Sequence, residues 1–169
     1  MLNDRQIRTI MRSRVTPWNN DLLQPASLEV TLGDEYQELM SVSLVIGRDV
    51  AQYEQHKLPY LLLPDQFILC HTIETFTMPH NIAGKFEGKS SLGRLGLMTH
   101  ITAGFIDPGF HGQLTLEVKN VGPCALELNP GIKIGQIAFF EVETVDRPYG
   151  SDGLNSHYQN SIGVRGYEN

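Results

Sequence analysis

Two stretches of the chain concentrate side chains that could do chemistry. The first is Gly88-Lys89-Ser90-Ser91-Leu92-Gly93-Arg94-Leu95-Gly96-Leu97, which sets two hydroxyls and two cations beside flexible backbone. Backbone N–H groups and hydroxyls at a helix start, flanked by Lys and Arg, suit a chain of phosphates. The spacing is not G-x-x-x-x-G-K-[ST], so a P-loop is excluded. A capped helix with solvated Lys89 and Arg94 is the plainer alternative. The second stretch runs from His100-Ile101-Thr102-Ala103-Gly104-Phe105-Ile106-Asp107-Pro108-Gly109-Phe110 into Gly112-Gln113-Leu114-Thr115-Leu116-Glu117-Val118-Lys119-Asn120. Asp107 precedes a Pro-Gly turn, where an Asx turn would account for it. Leu114, Leu116 and Val118 share one strand face, so Glu117 falls on the other with Thr115 and Gln113. A solvent-facing carboxylate is the simpler account of Glu117, because Glu is rarely buried unless paired. A proton-transferring carboxylate in a pocket is the functional one.

Other chemistries find little support. His71 and Glu74 lack a second His at zinc spacing, and Pro123-Cys124 is not followed by the second Cys of a zinc deaminase. No Gly-x-Ser-x-Gly elbow occurs. His100 stands alone beside an apolar strand, where a structural role is commoner. The two cysteines, Cys70 and Cys124, are expected as small buried hydrophobes rather than a disulfide.

The elements that would carry these residues are mostly strands. The chain opens on a helix: Asn3 can cap it, Gln6 follows three residues later, and Ile7, Ile10 and Met11 recur at helical spacing. Val15 to Pro25 is expected as loop. From Leu28 the period becomes two, with Leu28, Val30 and Leu32 alternating with polar neighbours. Further short runs cover Ser41 to Ile46, Tyr60 to Leu63, Phe67 to Thr77, Gln113 to Lys119, Ala125 to Leu128 and Ile132 to Val142. Pro64-Asp65, Pro79-His80-Asn81, Pro108-Gly109 and Pro130-Gly131 separate them. Ser90 to Leu95 is the interior helical candidate. Many short strands with Pro and Gly between them indicate an all-β sandwich or barrel. The stretch from Pro148 is polar and Gly-rich without apolar period, a segment either disordered or ordering over a ligand.

The 169 residues suit one domain, expected over 1–169. A net charge of −6 argues against a general nucleic-acid binder, although a local basic pocket can still take a polyanion. No run approaches the ~20 apolar residues that span a bilayer. Met1-Leu2-Asn3-Asp4-Arg5 lacks the plan of a signal peptide, so a cytoplasmic protein without membrane partners is expected.

Taken together, the Gly88 to Leu97 run, His100-x-Thr102-Ala103-Gly104-Phe105-Ile106-Asp107-Pro108-Gly109-Phe110 and Thr115-Leu116-Glu117 closely resemble the dCTP deaminase family. Gln24-Pro25-Ala26-Ser27-Leu28-Glu29-Val30 resembles its N-terminal strand, which more often has Asp where Glu29 stands. Pro130-Gly131-x-x-x-Gly135-Gln136 is similar to a late strand motif shared in outline with dUTPases. The resemblance runs from about Leu2 to Tyr158. It departs in the tail, where the family's Lys-Tyr-x-x-Gln becomes His157-Tyr158-Gln159-Asn160-Ser161.

The resemblance implies a distorted jelly-roll β-barrel of the dUTPase-like type, with a short N-terminal helix and a flexible C-terminal tail, 148–169, closing over the nucleotide. It implies a homotrimer with active sites shared between subunits, acting on a Mg²⁺-bound triphosphate without zinc. By position, Glu117 matches the catalytic acid-base, while Ser90 and Arg94 match residues holding the attacking water, the phosphates or the stabilising shell. Lys89, Ser91, Leu92 and Gly93 match the rest of the nucleotide loop. Asp107 matches a sugar contact that, in dUTPase-active members, orients a water at the phosphate. Thr115, Leu116, Gln136 and Tyr149 match further nucleotide contacts. The implied reaction is deamination of dCTP to dUTP, continuing to dUMP and pyrophosphate, with dTTP a candidate inhibitor. Gly104 favours the continuation, since members that only deaminate can carry a bulkier residue there and glycine leaves room beside Asp107. Deamination alone, a monofunctional dUTPase and a non-enzymatic nucleotide-sensing trimer stay open.

Overall fold

The computed structural model describes residues 1–168; Asn169, the end of the 148–169 tail, lies outside the described residues. The N-terminal helix forms as expected. Helix α1 spans Asp4–Met11, and Asn3 and Gln6 exchange side-chain and backbone hydrogen bonds in a complete capping box, each at 3.0 Å. Ile7 and Met11 are buried beneath it. The following segment, expected as loop, carries two short strands, β1 (Val15–Thr16) and β2 (Leu23–Gln24), around a 3₁₀ turn at Asn20–Leu22. Such two-residue pairings leave no alternating pattern to read.

The organising strand is β3, Ser27–Leu39. It is followed by β4 (Tyr53–Lys57), β5 (Tyr60–Leu62), β6 (Phe67–Thr77), β7 (Ile82–Gly88), the four-residue helix α2 (Ser90–Gly93), β8 (Leu97–Met98), β9 (Phe105–Ile106), β10 (His111–Asn120), β11 (Leu126–Leu128) and β12 (Lys133–Glu141). Among the described residues these strands make a ten-stranded sheet with the path β8-β10-β6-β3-β12-β7-β9, and β5 and β11 pair separately. The N-terminal part of β3 pairs with β12, where Val30 faces Gly135 and Glu29 faces Gln136. Its C-terminal part pairs with β6, with Tyr36 opposite Cys70. One strand thus serves two halves of the sheet, and the sheet curls around the core. The pairing shifts register between Leu32 and Tyr36, and there Gly33 lies under the His71 ring, where a Cβ would come within 2.2 Å of Cε1.

The core is a single apolar cluster in which Phe76, Phe139, Ile7, Leu32, Ile134 and Ile137 are wholly enclosed. The expectation of an all-β, dUTPase-like fold with a short N-terminal helix holds, the β-structure taking the form of a curled sheet. The run Ser41 to Ile46 is not a strand: it belongs to a loop between β3 and β4 that leaves Val42 and Ile46 almost fully exposed, with no neighbouring strand to pair. Strands β4 and β7 have no counterpart among the expected runs. In β4 polar side chains hide the period, and in β7 Gly84 weakens it while packing tightly on Ile106 and Ile137. Cys70 is buried, and burial pushes its thiol up to about 12. Cys124 corrects the expectation of burial, since it is exposed in the turn before β11.

The chain after Pro148 follows a defined path despite its polar composition. Gln113 N–H donates to Ser161 O, Gly163 N–H to Gln113 Oε1, and Asn160 N–H to His111 O. Gln159 ties the segment down twice, accepting from His111 N–H and donating to Gly109 O. Backbone groups of Asn160, Ser161, Gly163 and Arg165 are therefore paired along β10.

Glu74 on β6 is 2 % exposed and accepts hydrogen bonds from the Thr31 N–H and hydroxyl at 2.9 and 2.6 Å. Burial raises its carboxyl above the ordinary value, and the Thr31 bonds only partly oppose that. A raised folded value means the group's contribution is complete below the ordinary 4.5 and is lost as pH climbs through the raised value. Glu74→Gln keeps the shape and the Thr31 contacts without the charge. The stability advantage of the wild type over this variant should therefore shrink as pH rises above 4.5. Urea midpoints across pH check it; a difference that does not vary with pH contradicts it.

Candidate active site

Strand β10 alternates as expected from Thr115 onward: Leu116, Val118 and Asn120 are buried, while Thr115 and Glu117 are half-buried on the opposite face with Gln113. Leu114, expected on the core face, is instead half-buried and lines the same cavity as Thr115 and Glu117, because the pairing with β6 shifts register between Gln113 and Thr115. The face that carries Thr115 and Glu117 forms one wall of this cavity of about 380 Å³, lined also by Asp107, Phe105, Phe110 and Tyr149. Glu117 is held by one oxygen, with Oε2 accepting the Ile101 N–H at 2.7 Å. Among the described residues the other carboxylate oxygen has no hydrogen-bond partner, and the side chain lines the cavity. A carboxylate fixed at one oxygen and open at the other can take and return protons without reorienting.

Asp107 sits at the rim. Its turn closes through the backbone, Phe110 N–H to Asp107 O at 3.2 Å, and its side chain is exposed. Tyr149 packs its ring 5.8 Å from Phe110, and its hydroxyl accepts from Tyr158 N–H. The Thr115 hydroxyl accepts from Arg165 N–H at 3.0 Å, so the tail reaches the centre of this face. Tyr53, Tyr158, Arg165 and Tyr167 complete the lining. None of these four was identified from sequence. The alternation that marks Glu117 also marks Gln113, but the tail residues follow no period.

The phosphate-type loop lies elsewhere. Lys89, Ser90, Gly93 and Gln136 line a second cavity of about 370 Å³, together with Thr99 and His100. Helix α2 starts at Ser90 with Lys89 as its cap residue and is too short to bury a face of its own. Ser91 and Arg94 are exposed and line neither cavity. The Leu92 and Leu116 side chains are not ligand-facing: Leu92 packs against the core and Leu116, 2 % exposed, lies within it. Only their backbones could reach a ligand, because on their elements the side chain faces inward. The segment Thr99 to Asp107 runs between the two cavities, with His100 on one and Ala103, Phe105 and Asp107 on the other.

Gly104 in this segment does not open room beside Asp107. A Cβ there would come within 2.7 Å of Phe86 O, so glycine allows the segment to press onto β7, where Phe86 N–H donates to Gly104 O.

The second cavity is braced from β3. Ser27 Oγ donates to Gln136 Oε1 at 2.8 Å, which leaves the Gln136 amide N–H groups for a ligand. Glu29, 7 % exposed, pairs with the Lys89 ammonium on one oxygen and with Lys133 at 2.7 Å on the other. Burial pushes the Glu29 carboxyl up, but the hydrogen bonds and charges of Lys133 and Lys89 outweigh it and hold the group below its ordinary value. Among the described residues no group of three or more His, Cys, Asp or Glu is arranged to hold a metal ion, and no helix is long and apolar enough to cross a membrane.

Comparison with known proteins places the chain in a family. A family model described as dCTP deaminase-like matches residues 1–142. A Corynebacterium efficiens protein named dCTP deaminase, dUMP-forming, is 43 % identical over all of this chain and 95 % of its own length. A Bifidobacterium longum protein of the same name is 42 % identical with the same coverage. The solved 2'-deoxycytidine 5'-triphosphate deaminase from Agrobacterium tumefaciens shares the fold at TM-score 0.65 and 21 % identity, over 82 % of this chain and 47 % of that one. A Staphylococcus bacteriophage 80alpha dUTPase with dUpNHpp shares it at TM-score 0.51 and 14 % identity, over 79 % and 84 %. The chain belongs to the dCTP deaminase-like family.

Proposed function

We propose that this chain, as one domain over 1–169, deaminates dCTP to dUTP and ammonia and carries the product on to dUMP and pyrophosphate. The observation that carries the reading is Glu117, tethered at one oxygen by Ile101 N–H and open at the other, in a cavity shared with Asp107, Thr115 and Tyr149. The names of the full-length relatives support the dUMP product. The substrate enters as its Mg²⁺ complex, in a cytoplasmic enzyme with no nucleic-acid or membrane partner.

Deamination adds water to C4 of the cytosine ring, protonates N3, and expels ammonia as C4 becomes a carbonyl. Glu117 takes one proton from the water and delivers it to N3, then takes the proton of the new C4 hydroxyl and passes it to the amine, which leaves as ammonia as the C4–N bond breaks. Ser90 and Arg94 hold the attacking water and stabilise the addition product. Thr115, the Leu116 backbone, Tyr149 and Gln136 contact the nucleotide. Lys89, Ser91 and the backbone of Leu92 and Gly93 take the phosphates. Asp107 binds the sugar and aims a second water at the α-phosphate, breaking the bond to pyrophosphate. The tail from 148 onward closes over the nucleotide, and dTTP competes for the same site.

Ser90 and Gln136 lie in a different cavity from Glu117 within one chain. This separation supports a homotrimer whose sites join the Lys89 to Arg94 loop of one subunit to Glu117 of another. Complementation tests it: Ser90→Ala and Glu117→Gln, each inactive alone, should recover a substantial fraction of turnover when co-refolded. Recovery of none, or an active monomer in sedimentation, contradicts the shared site.

Glu117→Gln alone should cut deamination by about 10²–10⁴-fold while dCTP still binds. Near wild-type turnover would refute the proton shuttle. The overall reading is tested by a time course with dCTP followed by chromatography. Ammonia, dUMP and pyrophosphate should appear together. Stoichiometric dUTP without dUMP would leave deamination alone, hydrolysis of dUTP without action on dCTP would leave a dUTPase, and no conversion at all would leave a nucleotide-binding trimer.

A further inference from the structure

Glu29 is a buried carboxylate outside both catalytic carboxylates, and it sits between two lysines with unequal attachments. Lys133 is anchored twice, by Glu29 Oε2 at 2.7 Å and by Asp21 O at 3.3 Å. The partner the structure gives the Lys89 ammonium, among the described residues, is Glu29 alone. Lys89 lines the second cavity, and Lys133 does not. Gln24 Nε2 adds a 3.3 Å bond to Glu29 Oε2 from the β2–β3 hairpin, fixing the carboxylate from behind. Two ammonium groups around one carboxylate leave the cluster with a net positive charge, a local exception on a chain of net charge −6.

We propose that Glu29 is the positioning residue for Lys89, and that Lys133 is the reserve counter-ion that keeps Glu29 paired when a triphosphate draws Lys89 away. The proposal rests on the functional reading above, which makes the second cavity the phosphate side. A buried carboxylate stripped of its only partner is strongly unfavourable. With Lys133 fixed to Asp21 O and Glu29, Lys89 can exchange the carboxylate for a phosphate oxygen and leave no orphan charge behind. Before binding, Glu29 holds the ammonium at the cavity edge, so little side-chain freedom is lost when the nucleotide arrives. Ser27, two residues earlier on the same strand face, treats Gln136 the same way through its 2.8 Å bond.

The prediction is a non-additive cycle. KM and kcat for Mg·dCTP are measured on the full chain and on E29Q, E29D, K133M and E29Q/K133M, with thermal unfolding checked for each. E29Q should raise KM about tenfold, with kcat falling far less, because a charged hydrogen bond that orients the lysine is lost. E29D, which keeps the charge on a shorter arm, should recover part of that loss. K133M should raise KM several-fold although Lys133 lines neither cavity, because releasing Lys89 would then orphan Glu29. In the E29Q background K133M should add nothing. Wild-type KM in E29Q, or K133M effects that multiply with those of E29Q, would overturn the proposal. Should E29Q fail to fold, K133M alone decides: Lys133 is partly exposed, and an unchanged KM there overturns it. A wild-type chain that converts no dCTP would refute the functional reading instead. The same cycle, read as Mg·dCTP binding by calorimetry, would still decide the role of Glu29.

Discussion

Everything chemical in this molecule depends on β3 changing partners midway. Its first residues hydrogen-bond to β12 and its last to β6, so a single strand ties two halves of a curled sheet. The β12 half carries Gln136, with Ser27 and Glu29 beside it on β3 and Lys89 at the end of the neighbouring β7. The β6 half carries β10, and with it Thr115 and Glu117. A strand that paired with one half alone would leave the two cavities unrelated in space. The cost of the arrangement is local: a register shift in β3, a glycine beneath a histidine ring, and a buried Glu74 whose hydrogen bonds to Thr31 staple β6 to the strand at the crossover.

Charge is used sparingly around this frame. The chain is acidic overall, yet the second cavity is edged by a cluster in which two lysines share one carboxylate. A cavity edged by unbalanced cations would hold counter-ions tightly and repel its own loop when empty. A fully neutralised one would attract no polyanion. The intermediate state suits a ligand that comes and goes.

The strands whose side chains alternate cleanly were readable from sequence, as was the strand face that Glu117 occupies, because period-two patterning and burial have the same physical origin. The alternation by itself favoured a solvent-facing Glu117, and its role as acid-base came from the family resemblance. The capping box of α1 was readable for a similar reason: its two bonds are local. What could not be read was set by distant partners. The apolar run at Ser41 to Ile46 has strand composition but no strand beside it, and β4 has a partner but a polar composition. Leu116 sits between two residues that line the first cavity and faces the other way. Gly104 suggested space, whereas the contact with Phe86 O makes it a point of closest packing. The separation of the Lys89 to Arg94 loop from Glu117 is a three-dimensional fact that adjacency of motifs along the chain conceals.

The bond between Arg165 N–H and the Thr115 hydroxyl has a consequence for how tightly anything binds beside Glu117. The hydroxyl spends a lone pair on the chain's own C-terminal segment and keeps its proton, so what it offers the cavity is a donor. A ligand acceptor that takes that proton and the tail that supplies Arg165 N–H can be held by the same oxygen at once. The order of the segment and the strength of the contact are thereby linked. Changes in the last few residues can tune that strength in either direction while leaving β10 itself untouched.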